Sequence, residues 1–167
     1  MTILETWEEL KLNIKNIELN SGLNDEEIDC YNIGSMPDEL LDVLKDSNGQ
    51  KTNSIPLFLE LKNNILGADI FYYQFLSVSE ILEIKDKIQS NTIVELENLY
   101  PFAELVNRNI GEKGFVGFVI NSIDKKIYKM QSYVWDRFGS HNEFKLDIFA
   151  NSLKEFLENQ ILWFSLL

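Results

Sequence analysis

Apolar side chains near the N-terminus recur at alternating intervals of four and three residues, through Ile3, Trp7, Leu10, Ile14 and Ile17. That interval matches one face of an α-helix, and Thr2-Ile3-Leu4-Glu5 ahead of it has the spacing of a capping box. Ser21-Gly22 breaks the pattern. Asn24 followed by Asp25, Glu26 and Glu27 then opens a second, short helix, with its acids at the end where the helix dipole is positive and Gly34 as its stop. Pro37 suits the first position of a third helix, whose apolar face is Leu40, Leu41 and Leu44 and whose left-handed exit is Asn48-Gly49. On this reading three helices precede any strand.

Farther along, residues 57–61 and 70–75 are short, apolar or aromatic runs separated by Asn63-Asn64 and Gly67, which is the pattern of two strands. Ser77-Val78-Ser79-Glu80 caps another helix that ends near Gln89. Residues 115–120 and 126–133 flank the polar stretch Asn121-Ser122-Ile123-Asp124-Lys125 and predict a hairpin at the centre of a sheet. The helical period returns with Leu153, Phe156, Leu157, Ile161 and Phe164. Helical blocks at both ends bracketing at least four strand-like runs predict an α+β fold. No repeat or low-complexity linker divides residues 1–167, so one domain is expected.

A hydrophobic fraction of 45% and a charged fraction of 25% are ordinary for a globular chain. Charge is more informative: 27 acids oppose 15 bases, for a net charge of −12. Residues 1–50 hold 12 acids and 3 bases, whereas residues 101–167 hold 8 of each. Such a chain repels a nucleic-acid backbone or an anionic membrane and attracts a basic protein. The apolar runs at 115–120 and 161–167 fall well short of the roughly 18 residues of a spanning helix. Glu5, Glu8 and Glu9 stand where a signal peptide would carry bases, so a cytoplasmic location is expected.

Cys30 and His141 are the chain's lone cysteine and lone histidine. They leave no internal disulfide and no thiolate or imidazole cluster for a transition metal, and no cofactor is called for. Cys30 reads as a small buried apolar group within the second helix, and His141, in Gly139-Ser140-His141-Asn142, as an exposed loop residue. Nothing in the spacing joins them as nucleophile and base. Gly111-Glu112-Lys113-Gly114 lacks the geometry of a phosphate cradle and reads as a turn. Phe71, Tyr72, Tyr73, Phe75, Phe115 and Phe118 read as sheet and core packing, because base-stacking platforms sit in positive grooves. No catalytic constellation emerges, and the chain is read as a non-enzyme.

The run Ile33-Gly34-Ser35-Met36-Pro37-Asp38-Glu39-Leu40, continuing to Asn48-Gly49, resembles the opening "LG..LP..…NG" landmarks of the SUKH superfamily. Phe75-Leu76 leading into Ser79-Glu80-Ile81 resembles that family's strand-to-helix step. Asp124-Lys125-Lys126-Ile127-Tyr128 resembles its late hairpin, and residues 151–157 resemble its closing "SF.EFL" helix. Met36 stands where the family has leucine, Leu153 where it has phenylalanine, and residues 50–69 have no counterpart. The resemblance implies a central, mostly antiparallel β-sheet flanked by N-terminal helices and a C-terminal helix. For bacterial members it implies immunity against a polymorphic or contact-dependent toxin, many of which are nucleases. Scaffold or regulatory adaptor members without a toxin partner are the alternative it leaves open.

Asp25, Glu26, Glu27, Asp29, Asp38, Glu39, Asp42 and Asp46 form the series that joins charge to function. One reading is a solvated face that complements helix dipoles and keeps the protein soluble. The other is a partner-binding face for the basic, phosphate-binding surface of a cognate toxin, with association steered by charge.

Overall fold

The structure, a computed structural model, describes residues 1–52, 54–64, 67–89, 97–106, 114–135 and 141–167. Helix α1 spans Ile3–Asn13, and both bonds of the Thr2/Glu5 capping box are formed. It stops a turn earlier than its apolar period. Asn16 takes a left-handed conformation (φ 61°), so Ile14 and Ile17 reach the core from a turn and not from the helix. Strand β1 (Leu19–Ser21) follows, then α2 (Asp25–Cys30), α3 (Asp38–Asp46) and β2 (Ser47–Gln50). Three helices therefore do not precede every strand: β1 and β2 pair antiparallel as a separate two-stranded sheet.

Two punctuation residues act differently from their sequence reading. Helix α2 ends at Cys30, and Gly34, left-handed at φ 57°, lies beyond it in the turn that presents the Ser35 amide to the Tyr100 hydroxyl. Gly49 is left-handed as expected (φ 76°) but lies inside β2, and Pro37 is the N-cap of α3 instead of its first helical residue. A Cβ at Gly49 would stand 2.4 Å from the Ser77 amide nitrogen, so glycine also permits the close approach of β2 to the start of α4 (Val78–Gln89).

The main sheet has six antiparallel strands in sequential order: β3 (Phe58–Asn64), β4 (Gly67–Phe75), β5 (Leu99–Leu105), β6 (Phe115–Asn121), β7 (Ile127–Trp135) and β8 (His141–Ala150). The α+β class with helices at both ends is as the periodicity predicts. β5 and β8 had no strand signal, and His141 opens β8 opposite Trp135 instead of sitting in a loop. The sheet curls enough for Lys129 of β7 to meet Glu60 of β3 at 2.8 Å. Inside the curl Phe58, Phe102 and Phe118 each pack on Phe156 of helix α5 (Leu153–Ser165), with ring centroids 5.0–5.2 Å apart. Tyr73, Phe75 and Phe115 are buried as expected, whereas Tyr72 is exposed.

Helix α5 bridges the curl beside β3. The buried Gln160 side chain accepts from the Leu59 amide at 2.8 Å and donates to the Leu59 carbonyl at 2.9 Å, standing in for a neighbouring strand. Helix α1 packs on α5 and α3, and α4 packs on β5. No helix among the described residues is long and apolar enough to cross a membrane. The reading of Gly111 to Lys113 as a turn lies outside the described residues.

Candidate functional site

Local rules place the acidic series at the surface. Asn24 accepts from the Glu27 amide at 2.8 Å, and Glu27 reaches back to the Asn24 amide at 3.3 Å, so a six-residue helix is fixed by its own capping box. Helix α2 buries none of its residues completely, although Ile28 packs partly on the core. Asp25, Glu26, Glu27, Asp29 and Cys30 are exposed. The expectation of a buried Cys30 fails because the helix is held by one apolar residue and the chain before and after it, and its remaining faces stay in water.

Helix α3 turns Leu40, Val43 and Leu44 into the core, which leaves Asp38 exposed and Glu39 and Asp42 half-buried on its other sides. The Leu23 amide donates to the Leu44 carbonyl at 3.0 Å. At Gly22 a Cβ would fall 1.8 Å from the Lys45 carbonyl oxygen, so only glycine lets the chain pass there. These contacts set the start of α2 beside the end of α3, where Lys45 and Asp46 stand, whereas Asp38, Glu39 and Asp42 lie at the start and middle of α3. Among the described residues Asp25, Glu26, Glu27, Asp29, Asp38, Glu39 and Asp42 form no ion pair.

Asp46 differs from the other seven. Its Oδ2 accepts from Trp7 Nε1 (2.8 Å), Lys11 Nζ (2.7 Å) and Ser47 Oγ (2.9 Å), tying α3 to α1. Burial alone would raise its pKa, but the hydrogen bonds from Lys11, Trp7 and Ser47 outweigh it and hold the carboxyl below its ordinary value. Lys11 also pairs with Glu8 at 2.6 Å, so one of the three bases in residues 1–50 is already engaged. Asp46 thus belongs to the scaffold. Glu39 carries a buried Oε2 with no hydrogen-bond partner.

Three further features went unmarked in the sequence. Glu60 accepts from Lys129 at 2.8 Å and from the Tyr73 hydroxyl at 2.9 Å inside the curl. Burial pulls the Lys129 pKa below the ordinary lysine value, against the opposing pull of Glu60. Tyr100 receives the Ser35 amide at 2.9 Å, while the Lys85 amine lies 4.3 Å from its ring centroid, with a pKa lowered to about 8 by burial. Both sets join distant strands and loops. A cleft of about 820 Å³ lies between the 52–56 loop and β4, bordered by Ile55, Ile70, Tyr72 and Leu105. Glu80 at its margin caps α4 by accepting from the Ser77 amide, and Gln50, Ser54 and Gln74 also line the cleft, so its wall is mixed polar and apolar.

No protein-family model, no curated protein and no solved structure matches the chain.

Proposed function

We propose that this chain is an immunity-type inhibitor of SUKH-like character, which neutralises a cognate toxin domain in the cytoplasm by binding its basic surface and needs no catalysis of its own. The observation that carries the reading is the acid on α2 and α3: seven carboxylates, five exposed and Glu39 and Asp42 half-buried, none neutralised by a base among the described residues. A fold that needed them internally would pair them, as it pairs Asp46 with Lys11. Left unpaired, they sum to a negative field that attracts and orients a basic partner before contact. A nuclease presents such a partner surface, because its substrate is polyanionic.

The test is to express the chain with a basic toxin domain encoded beside it. The proposal expects a complex of one copy of each, loss of toxin activity on mixing, and survival of cells that hold both. Free toxin activity at a molar excess of the chain, with no complex on gel filtration, would remove the proposal.

A further inference from the structure

Strand β8 ends the six-stranded sheet, and its ladder to β7 runs its whole length, from His141 opposite Trp135 to Ala150 opposite Ile127. The other sheet edge, β3, is closed at Leu59 by Gln160. Helix α5 reaches only the last part of β8, where Phe156 and Trp163 pack on Phe149. Among the described residues, positions 144–148 make no backbone hydrogen bond beyond the β7 ladder. Alternate N–H and C=O groups along this edge therefore point outward, ready to pair with another strand.

Edge strands are commonly blunted by charge, and β8 carries two charged residues at its middle, Lys145 and Asp147, both exposed and 3.5 Å apart as a pair that a second copy would have to exchange. Their signs are opposite, which changes what they do. A two-fold axis perpendicular to the sheet pairs residues on the same face of two antiparallel copies, so its centre falls on a residue. With the centre at Leu146, Lys145 of each copy lies opposite Asp147 of the other. Phe144 then lies opposite Ile148, an aromatic against a β-branched side chain that is 61% exposed in the single chain. Centres at Lys145 or at Asp147 would oppose like charges. The register centred on Leu146 is thus favoured at its central pairs, and the registers on either side oppose like charges. The surrounding part of the chain, residues 101–167, carries 8 acids and 8 bases, so the net negative charge of the whole is not concentrated there.

We propose that two copies of this chain pair through β8, antiparallel and centred on Leu146, to form one continuous sheet. The contact is a strand edge with few flanking side chains, so the dimer is a reversible one that forms in the micromolar to millimolar range. It does not rest on the acidic helices. Sedimentation equilibrium at about 0.15 M salt, where paired charges in contact are only partly screened, tests it. The wild-type average mass should rise with concentration from 19.5 kDa toward twice that value.

Lys145→Asp and Asp147→Lys should each weaken self-association at least tenfold, because symmetry places each change in two pairs. An equimolar mixture of the two variants sets two acids against two bases and should recover association to within about threefold of wild type, as should the double exchange K145D/D147K. Unchanged circular dichroism controls for folding. A wild type that stays at 19.5 kDa throughout, or single variants that associate no better when mixed, would overturn the proposal.

Discussion

Replacing Gln160 with leucine isolates the contribution of one side chain to closing the curled sheet. Leucine keeps most of the volume and fills the same buried site, but it can neither accept from the Leu59 amide nor donate to the Leu59 carbonyl. Both backbone groups lie in a buried strand and face away from β4, so water does not replace the lost partner without opening the packing between α5 and β3. An orphaned buried donor costs about 1–3 kcal/mol and an orphaned carbonyl somewhat less, while the added apolar contact of leucine returns a fraction. The net expectation is a loss of about 2–4 kcal/mol. For a urea dependence of about 2 kcal/mol per molar, that loss lowers the unfolding midpoint by about 1–2 M at unchanged slope. Hydrogen exchange supplies a local check, because the Leu59 amide should lose protection more than its neighbours on β4. A midpoint within about 0.3 M of wild type, with the Leu59 amide still protected, would refute the role assigned to Gln160.

Other outcomes follow from the same structure. Lys129→Met should destabilise by about 3–5 kcal/mol by leaving Glu60 buried with only Tyr73, while E60L/K129M should return to within about 1 kcal/mol of wild type in a double-mutant cycle of urea melts. Asp46 has a folded pKa below its unfolded value, so its stabilisation is present above about pH 4 and is lost as pH falls through the folded pKa. The difference in melting temperature between wild type and Asp46→Asn should therefore be clear at pH 6 and vanish toward pH 2. Exposed Cys30 should react with a thiol reagent in the native protein as fast as in urea, and Cys30→Ser should change stability by no more than about 0.5 kcal/mol.

Helices with one apolar stripe were legible in the sequence, because the signal is local: α1 and α4 begin at the caps Thr2 and Ser77, α3 begins one residue after Pro37, and α5 shows in the period of Leu153, Phe156, Leu157 and Ile161. The hairpin of β6 and β7 was legible for the same reason. β5 was not, since Leu99–Leu105 is buried on both faces over its first five residues and shows no alternation, and Pro101 argues against a strand. β8 failed oppositely: as an edge it keeps Lys145, Asp147 and Ile148 in water, so its hydrophobic signal is thin. β1 and β2 are polar, and only their tertiary pairing makes them strands. The acidic series was readable as composition, but its division was not. Asp46 looks like its neighbours in sequence, and only the approach of Trp7 and Lys11 from α1 turns it into a scaffold residue. Buried Glu60, Lys129 and Gln160 gave no warning, because a polar residue inside a core is specified by its partner elsewhere in the chain.

The most direct test of the acidic face is the rate at which the chain associates with the basic toxin domain proposed as its partner. Stopped-flow mixing of wild type and the D25K/E26K/D29K/D38K variant at about 0.02 M and 0.3 M salt separates steering from contact, since the Debye length shortens from over 20 Å to under 6 Å between them. All four substitutions are at exposed positions, and the Asn24/Glu27 capping box is left in place. The account predicts wild-type association that slows at least tenfold with added salt, and a variant that starts at least tenfold slower and responds little to salt. Equal, salt-insensitive rates for the two proteins would contradict it and return these carboxylates to keeping the chain soluble.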